Sequence, residues 1–219
     1  SERILPMYAE YQDVVHYVAI SDADRHPDLR YAATIHHGIP IDDFPLNPTG
    51  SDDLLFFGRI HHDKGAAEAI AAARTSGRHL HMYGIVQDKD YFERDVEPAV
   101  DGKRVTYHGA VGGTRRLRAL GDARALLHLI NFEEPFGLSV VEAMACGTPV
   151  IATRRGSMSE LIEDGITGFL VDSLDEANQA IERVGEIDRS RVRRAVADRF
   201  SVDRMADAYL TLYRRVVGA

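Results

Sequence analysis

Residues 133–151 read EEPFGLSVVEAMACGTPVI. Glu134 and Glu142 stand eight apart, with Pro135, Phe136 and Gly137 between the first glutamate and an apolar run. Pro135 biases Glu134 toward an extended backbone. Gly137 lets the chain turn and lets another group approach it closely. Leu138 to Cys146 fits a short helix, with Leu138, Val141, Met144 and Ala145 on one face. Gly147 is a helix stop, Pro149 follows it, and a buried strand resumes at Val150. The product is a loop that carries a carboxylate to the open N-terminus of a helix. Bare N–H groups at such an end attract phosphate. Glu142 lies roughly 6 Å further along the axis, at about 1.5 Å per residue. That offset is about the distance between a pyrophosphate and the ribose attached to it.

A second segment points the same way. Leu54 to Phe57 is an apolar strand ending at Gly58-Arg59-Ile60-His61-His62-Asp63-Lys64-Gly65, and an alanine-rich helix runs on to about Ser76. Asp63 is placed to cap that helix, whose dipole favours anions near its start. Arg59 and Lys64 share the strand-to-helix loop. Arg forks two oxygens and Lys acts as a point charge, so the pair suits a diphosphate.

Together these segments resemble the signature of the family-4 retaining glycosyltransferases of the GT-B fold. There a glutamate, seven residues and a second glutamate precede A-x-A-x-G-x-P-V-I or a close variant. Here the series is Glu134…Glu142-Ala-Met-Ala-Cys-Gly-Thr-Pro-Val-Ile. The family's G-R-x4-K-G element is matched at Arg59 and Lys64. The resemblance implies that Glu134 is the catalytic carboxylate and meets donor-sugar hydroxyls together with Phe136 and Gly137. It implies that Arg59, Lys64 and the backbone of Gly137, Leu138 and Ser139 hold the diphosphate. Glu142 is implied to bind the ribose, and Gly109, Ala110 and Val111 to border the base. The donor implied is a nucleotide diphosphate sugar, uridine favoured and guanosine next. No cofactor or metal is implied.

The remaining chain alternates strands and helices. Strands are expected at His79–Tyr83, Arg104–Tyr107, Ala125–Ile130 and Phe169–Val171, with helices at Lys89–Val100, Thr114–Gly121 and Ser157–Ile162. Helices near Asp175–Val184, Asp188–Phe200 and Asp203–Val217 finish the chain. This order predicts an α/β fold, a Rossmann-like parallel sheet with helices on both faces. Ligands in such sheets sit at the carboxyl ends of strands. The loops at Arg59–Lys64, Gly84, Gly109 and Glu134 all fall on that side. No G-x-G-x-x-G is present, which weighs against a dinucleotide-binding dehydrogenase.

The 219 residues leave room for one sizeable domain and part of another. A formal charge of −8 argues against nucleic acid or an anionic membrane as a general partner. No apolar run reaches the roughly 18 residues of a transmembrane span. The single cysteine, Cys146, excludes an internal disulfide and fits a reducing compartment. The resemblance covers only the second half of such an enzyme. Residues 1–45 are expected to be a remnant of an N-terminal, acceptor-side domain, with β-rich runs at Val14–Ser21 and Thr34–Pro40. Residues 46–50 are expected to be a linker, 51–200 the donor-binding domain, and 201–219 a helix returning toward the missing domain, which is the expected partner. That helix carries Met205, Tyr209, Leu212 and Tyr213 at helical spacing. The expected location is cytoplasmic, with any membrane contact made through the missing half. The chain alone is expected to bind donor and transfer no sugar.

Asp22-Ala-Asp24 and Asp88-Lys-Asp90 resemble metal-binding Asp-x-Asp pairs, but both sit where helices are expected to begin, where capping explains them. The adjacent pairs His36-His37 and His61-His62 are expected to point apart and to chelate poorly. Two other readings stay open. One is a non-catalytic nucleotide-sugar-binding subunit that needs a partner chain. The other is a different GT-B enzyme, such as a sugar-nucleotide epimerase or a phosphorylase. A phosphorylase would need a pyridoxal-binding lysine late in the chain, and no lysine follows Lys103.

Overall fold

The computed structural model describes residues 4–218. At its centre lies a six-stranded, all-parallel sheet. Its strands are β3 (Leu54–Phe57), β4 (Leu80–Tyr83), β5 (Val105–Tyr107), β6 (Ala125–His128), β7 (Val150–Thr153) and β8 (Gly168–Val171). They lie in the order β5-β4-β3-β6-β7-β8. β6 is buried throughout and β7 at its first three residues, as parallel strands covered on both faces must be. The connecting helices are α2 (Ala66–Ser76), α4 (Gly113–Asp122), α5 (Leu138–Ala145) and α6 (Met158–Leu161). After the sheet come α7 (Leu174–Arg183), α8 (Arg189–Arg199) and α9 (Val202–Val216). The chain steps outward from β3 to β4 and β5, then returns to lay β6 on the other side of β3. The strand order therefore reverses between β3 and β6. In open α/β sheets, that reversal opens the ligand crevice.

Upstream, α1 (Leu5–Tyr11) precedes a two-stranded parallel unit of β1 (Tyr17–Ala19) and β2 (Tyr31–Thr34). The second β-rich run thus pairs earlier than expected. Thr34 ends β2, and Ile35 to Pro40 lead away, with Ile39 bridging Ser201. Ile39 and Phe44 are buried in the same core as the six-stranded sheet. Helix α9 packs back on this unit: Leu212 is buried, and Arg215 donates to the Ala32 carbonyl at 2.6 Å. Tyr213, from the same stripe, is exposed.

Several local expectations are corrected. Lys89–Val100 is not one helix. A short α-turn at Lys89–Tyr91 (α3) passes into a π-turn at Phe92–Val96 and a 3-10 turn at Glu97–Ala99. Pro98 cannot donate to the preceding turn, so regular pairing fails there. Asp63 does not cap α2. Gly65 is the cap residue, and Asp63 sits one turn earlier, in a 3-10 turn at His62–Lys64. Leu138 is exposed, while Val140, Val141, Ala143, Met144 and Ala145 face the core. Asp88 does cap, accepting from Tyr91 N–H at 3.0 Å. Asp22 and Asp24 lie in a turn rather than at a helix start, with Asp22 accepting from the Thr34 hydroxyl at 2.5 Å. Cys146 is fully buried, and burial pushes its thiol up to about 11, so it is an inert packing group.

Residues 46–50 are fastened to the sheet domain at Asn47, whose N–H donates to the Cys146 carbonyl at 3.0 Å, whose side-chain amide donates to Asp122 at 2.9 Å, and whose carbonyl accepts from a buried arginine. Arg189 is 9% exposed and has no carboxylate partner among the described residues. Its guanidinium donates to the carbonyls of Asn47 (2.7 Å), Ala123 (2.9 Å) and Gly121 (2.6 Å), and to the Thr148 hydroxyl (2.8 Å). Gly121 and Ala123 end α4, where free carbonyls and the negative dipole end favour a cation. Replacing Arg189 with Met keeps the aliphatic stem and orphans these acceptors. We expect Arg189→Met to lower unfolding free energy by about 2–4 kcal/mol, from several buried carbonyls losing charged partners. Urea unfolding of the two proteins measures this; an unchanged midpoint would mean that water replaces the guanidinium at no cost.

Candidate functional site

The loops that follow β3 and β6 meet at the point of reversal. Asn131 N–H donates to the Asp63 carbonyl at 2.7 Å, and its side chain reaches the His62 carbonyl at 3.2 Å. Gly65 has φ 72°, and a Cβ there would lie 1.8 Å from the Leu129 carbonyl oxygen. Only glycine lets the first loop lie directly on the end of β6. This contact delivers Lys64 to the second loop.

Lys64 Nζ lies 2.5 Å from Glu134 Oε2 and 4.4 Å from the centre of the Phe132 ring. The two charged side chains are only 14% and 12% exposed, so their attraction is weakly screened by water. His128, the last residue of β6, places Nε2 3.5 Å from the same carboxylate oxygen. That nitrogen makes no shorter hydrogen bond among the described residues. Burial pushes the His128 pKa down, against the pull of Glu134 and with the push of Lys64, so the imidazole is neutral. Burial alone would raise the Glu134 pKa. A hydrogen bond from His128, with the hydrogen bond and charge of Lys64, outweighs it and holds the carboxylate below its ordinary range. Glu134 is therefore an ionised acceptor at neutral pH.

The loop bearing Glu134 is held from two sides. Ser157 N–H donates to the Glu134 carbonyl at 2.9 Å, and the Ser157 hydroxyl to the Phe136 carbonyl at 2.6 Å. The fully buried Ser21 donates to the Pro135 carbonyl at 2.6 Å. Gly137 takes φ 92° and opens α5. The N–H groups of Leu138 and Ser139 have no backbone acceptor among the described residues, as at the open first turn of a helix. Glu142, one turn on, is paired with Arg116 of α4, and its side chain is 14% exposed. The Arg116 guanidinium lies 5.7 Å from the Phe44 ring and 6.0 Å from the Phe57 ring.

The structure thus gathers Lys64, Glu134, Gly137, Leu138, Ser139 and Glu142 around one helix start. Arg59 stands apart. It is exposed, and its guanidinium bonds the Gln87 side chain at 2.5 Å, on the loop after β4. Gly109, Ala110 and Val111 follow β5, with Gly109 at φ 71° and its carbonyl accepting from Gly84 N–H at 3.0 Å. Ala110 is exposed and Val111 half-buried. Phe136 is placed otherwise than expected. Its side chain is 3% exposed and packs against His36, His37 and Phe200, so only its backbone is left for a ligand. The rings of His61 and His62 also differ from expectation. They lie 4.4 Å apart, and both contact Asp63, because the 3-10 turn folds the pair together.

Sequence reasoning missed His128, Arg116, Ser21 and Ser157. The signal for His128 was present: a histidine inside the apolar strand ALLHLI needs a polar partner. Arg116 could not be chosen among Arg115, Arg116 and Arg118 without the rotation of α4.

Among the described residues no helix is long and apolar enough to cross a membrane. Similarity to known proteins agrees with this geometry. D-inositol 3-phosphate glycosyltransferase of Mycobacterium tuberculosis is 32% identical over 222 residues, spanning 94% of this chain and 44% of that protein. This chain therefore spans less than half the length of the curated relatives it matches. AviGT4, a glycosyltransferase involved in avilamycin A biosynthesis, superimposes with a TM-score of 0.76 at 28% identity, over 92% of this chain and 64% of its own. Sucrose-phosphate synthase from Thermosynechococcus elongatus shares the fold at 22% identity, with a TM-score of 0.82, over 99% of this chain and 62% of its own. The parallel sheet with its flanking helices is that of the GT-B glycosyltransferases. Residues 40–198 match the family described as Glycosyl transferases group 1, and the chain belongs to that family.

Proposed function

We propose that this chain holds a nucleotide diphosphate sugar for retaining transfer of its glycosyl group to an acceptor. The observation that carries the reading is the buried Lys64–Glu134 pair beside the open N-terminus of α5, with Glu142 one turn further. A diphosphate laid on the Leu138 and Ser139 N–H groups meets Lys64 from the other side. Glu134, held ionised, accepts from sugar hydroxyls and stabilises positive charge developing at the anomeric carbon as the diphosphate leaves. It is not assigned as a covalent nucleophile. Glu142 accepts from the ribose, oriented by Arg116. The loop at Gly109, Ala110 and Val111 borders the base.

Uridine diphosphate is the favoured carrier. Anabaena HepE, of the same fold at 20% identity and a TM-score of 0.79 over 97% of this chain and 67% of its own, has been crystallised with UDP and glucose. Diphosphate charge is met by Lys64, Arg59 and the helix end without a metal. Transfer itself needs an acceptor wall that faces this crevice, and orienting both reactants is where much of the rate arises. In this reading residues 1–45 and α9 belong to the junction with that wall. A binding subunit that lends its donor site to a partner chain would use the same residues.

Calorimetric titration with UDP, a UDP-sugar and uridine tests the assignments. Lys64→Ala weakens UDP by about 1–3 kcal/mol, the scale of a charged hydrogen bond, and leaves uridine unchanged. Arg59→Ala acts in the same direction with a smaller loss, because Arg59 must first leave Gln87. Equal losses for uridine and UDP would remove both residues from the phosphate site.

Glu142→Ala weakens UDP and UDP-sugar alike, since both carry the ribose. Glu134→Ala mainly erases the advantage of UDP-sugar over UDP. The reverse pattern would exchange or cancel these roles.

The pH dependence follows from the depressed pKa of Glu134. A carboxylate whose pKa lies below its ordinary value of about 4.3 keeps its charge as the pH falls through 5. The gap in UDP-sugar affinity between wild type and Glu134→Ala should therefore be flat from pH 8 to 5 and close only below that. A gap that closes with a midpoint near 6 would mean that another group carries the effect.

A further inference from the structure

Beneath α4 the sheet carries a polar patch on a face that parallel sheets ordinarily keep apolar. Asp53 and His79 immediately precede the paired strands β3 and β4, and His81 lies on β4, two residues beyond His79 and on the same face. Thr106 of β5 stands opposite His81, and His108 follows on that strand's end. The patch opens into a groove of about 430 Å³ between sheet and helix, bordered by Arg115, Arg118 and Asp122.

The side chains of this patch converge. One ligand atom from each of Asp53, His79 and His81 lies within 4.8 Å of the other two. His81 Nε2 is 3.1 Å from Asp53 Oδ2, and the two imidazole rings are 4.3 Å apart. In a tetrahedral zinc site with bonds of 2.0–2.1 Å, neighbouring ligand atoms are about 3.3 Å apart. Each imidazole also has its second nitrogen engaged: His81 Nδ1 with His108 Nε2 at 2.9 Å, and His79 Nε2 with Thr106 Oγ1 at 2.8 Å. That leaves His81 Nε2 and His79 Nδ1 to ligate, and outer-shell bonds of this kind fix the tautomer of a ligating histidine.

We propose that Asp53, His79 and His81 form a binding site for a divalent transition metal of the zinc class, with groove water completing the shell. Two nitrogens and a carboxylate oxygen suit zinc and its neighbours better than calcium or magnesium, which prefer all-oxygen shells. The ion clips the amino ends of β3 and β4 together. Its role is structural and separate from the diphosphate, which is met at the carboxyl ends of β3 and β6. The other converging set, His61, His62 and Asp63, draws all three ligands from consecutive residues of one partly exposed turn.

The test uses the purified 219-residue chain, stripped with chelator and desalted. Titration with zinc chloride, followed by desalting and elemental analysis, should leave one zinc per chain and raise the melting temperature. Cobalt(II) in its place should give the visible absorption of a four-coordinate ion. His81→Gln and Asp53→Asn should each weaken zinc binding at least ten-fold while keeping the wild-type circular dichroism spectrum. The double variant His61→Gln, His62→Gln should bind zinc as wild type does. Absence of stoichiometric zinc after desalting overturns the proposal. So does zinc binding that survives both His81→Gln and Asp53→Asn, or that is lost only in the His61, His62 double variant. If His81→Gln misfolds, His79→Gln supplies the same comparison from the neighbouring ligand.

Discussion

The site depends on how closely two loops approach at the reversal of strand order. Gly65 allows the β3 loop to lie against the Leu129 carbonyl at a spacing that no side chain tolerates. Lys64, the residue before it, is thereby set beside Glu134, seventy positions later in the chain. A lysine ammonium and a carboxylate buried this deeply are costly apart, because each would lose its hydration without compensation. Paired, they lock the register of the β3 and β6 loops. Lys64 then helps to hold Glu134 ionised, while burial keeps His128 neutral against the pull of that carboxylate.

Legibility in the sequence followed the range of the forces involved. The parallel sheet was readable from short apolar runs alternating with helical segments, because each run depends on burial alone. The Glu134–Gly137 turn and α5 were readable because Pro135 and Gly137 constrain the backbone locally. Phe136 was not. The resemblance placed it at the donor sugar, yet Ser21 and Ser157 grip the flanking carbonyls and the ring lies between His36, His37 and Phe200. Those partners come from distant segments, and no local pattern predicts them. The broken helix at Lys89–Val100 failed differently. Pro98 has no N–H to donate to the preceding turn, and that local defect outweighs the helical pattern on either side of it.

The division into remnant, linker and donor domain is blurred by side chains that cross it. Ile39 and Phe44 enter the core of the six-stranded sheet, and Arg189 fixes the Asn47 carbonyl. Glu160 of α6 accepts from Asp22 and Ala23 N–H, each at 2.9 Å, and contacts His36 at 2.9 Å. The β1–β2 unit is therefore attached by polar contacts near the Glu134 loop, with Ser21 donating into that loop itself. A displacement of β1 and β2 would be felt at Pro135, one residue from the carboxylate. The attachment is a physical route by which the β1–β2 unit can bear on the crevice at Glu134.

The electrostatic arrangement of the crevice also bears on selectivity. Before ligand arrives, its buried charges are already paired, Lys64 with Glu134 and Glu142 with Arg116, while the exposed Arg59 bonds the neutral Gln87 side chain. An arriving anion gains only the difference between its own contacts and those it displaces. A free phosphate can offer Lys64 a partner but leaves Glu134 with none, stranding a buried carboxylate. A nucleotide without the sugar has the same defect. A ligand that brings a diphosphate to Lys64 and hydroxyl donors to Glu134 in one rigid unit replaces both halves of the pair at once. In the proposed reading, self-pairing weakens every incomplete ligand and favours the complete donor, which replaces both halves of the pair and leaves no buried charge unpartnered.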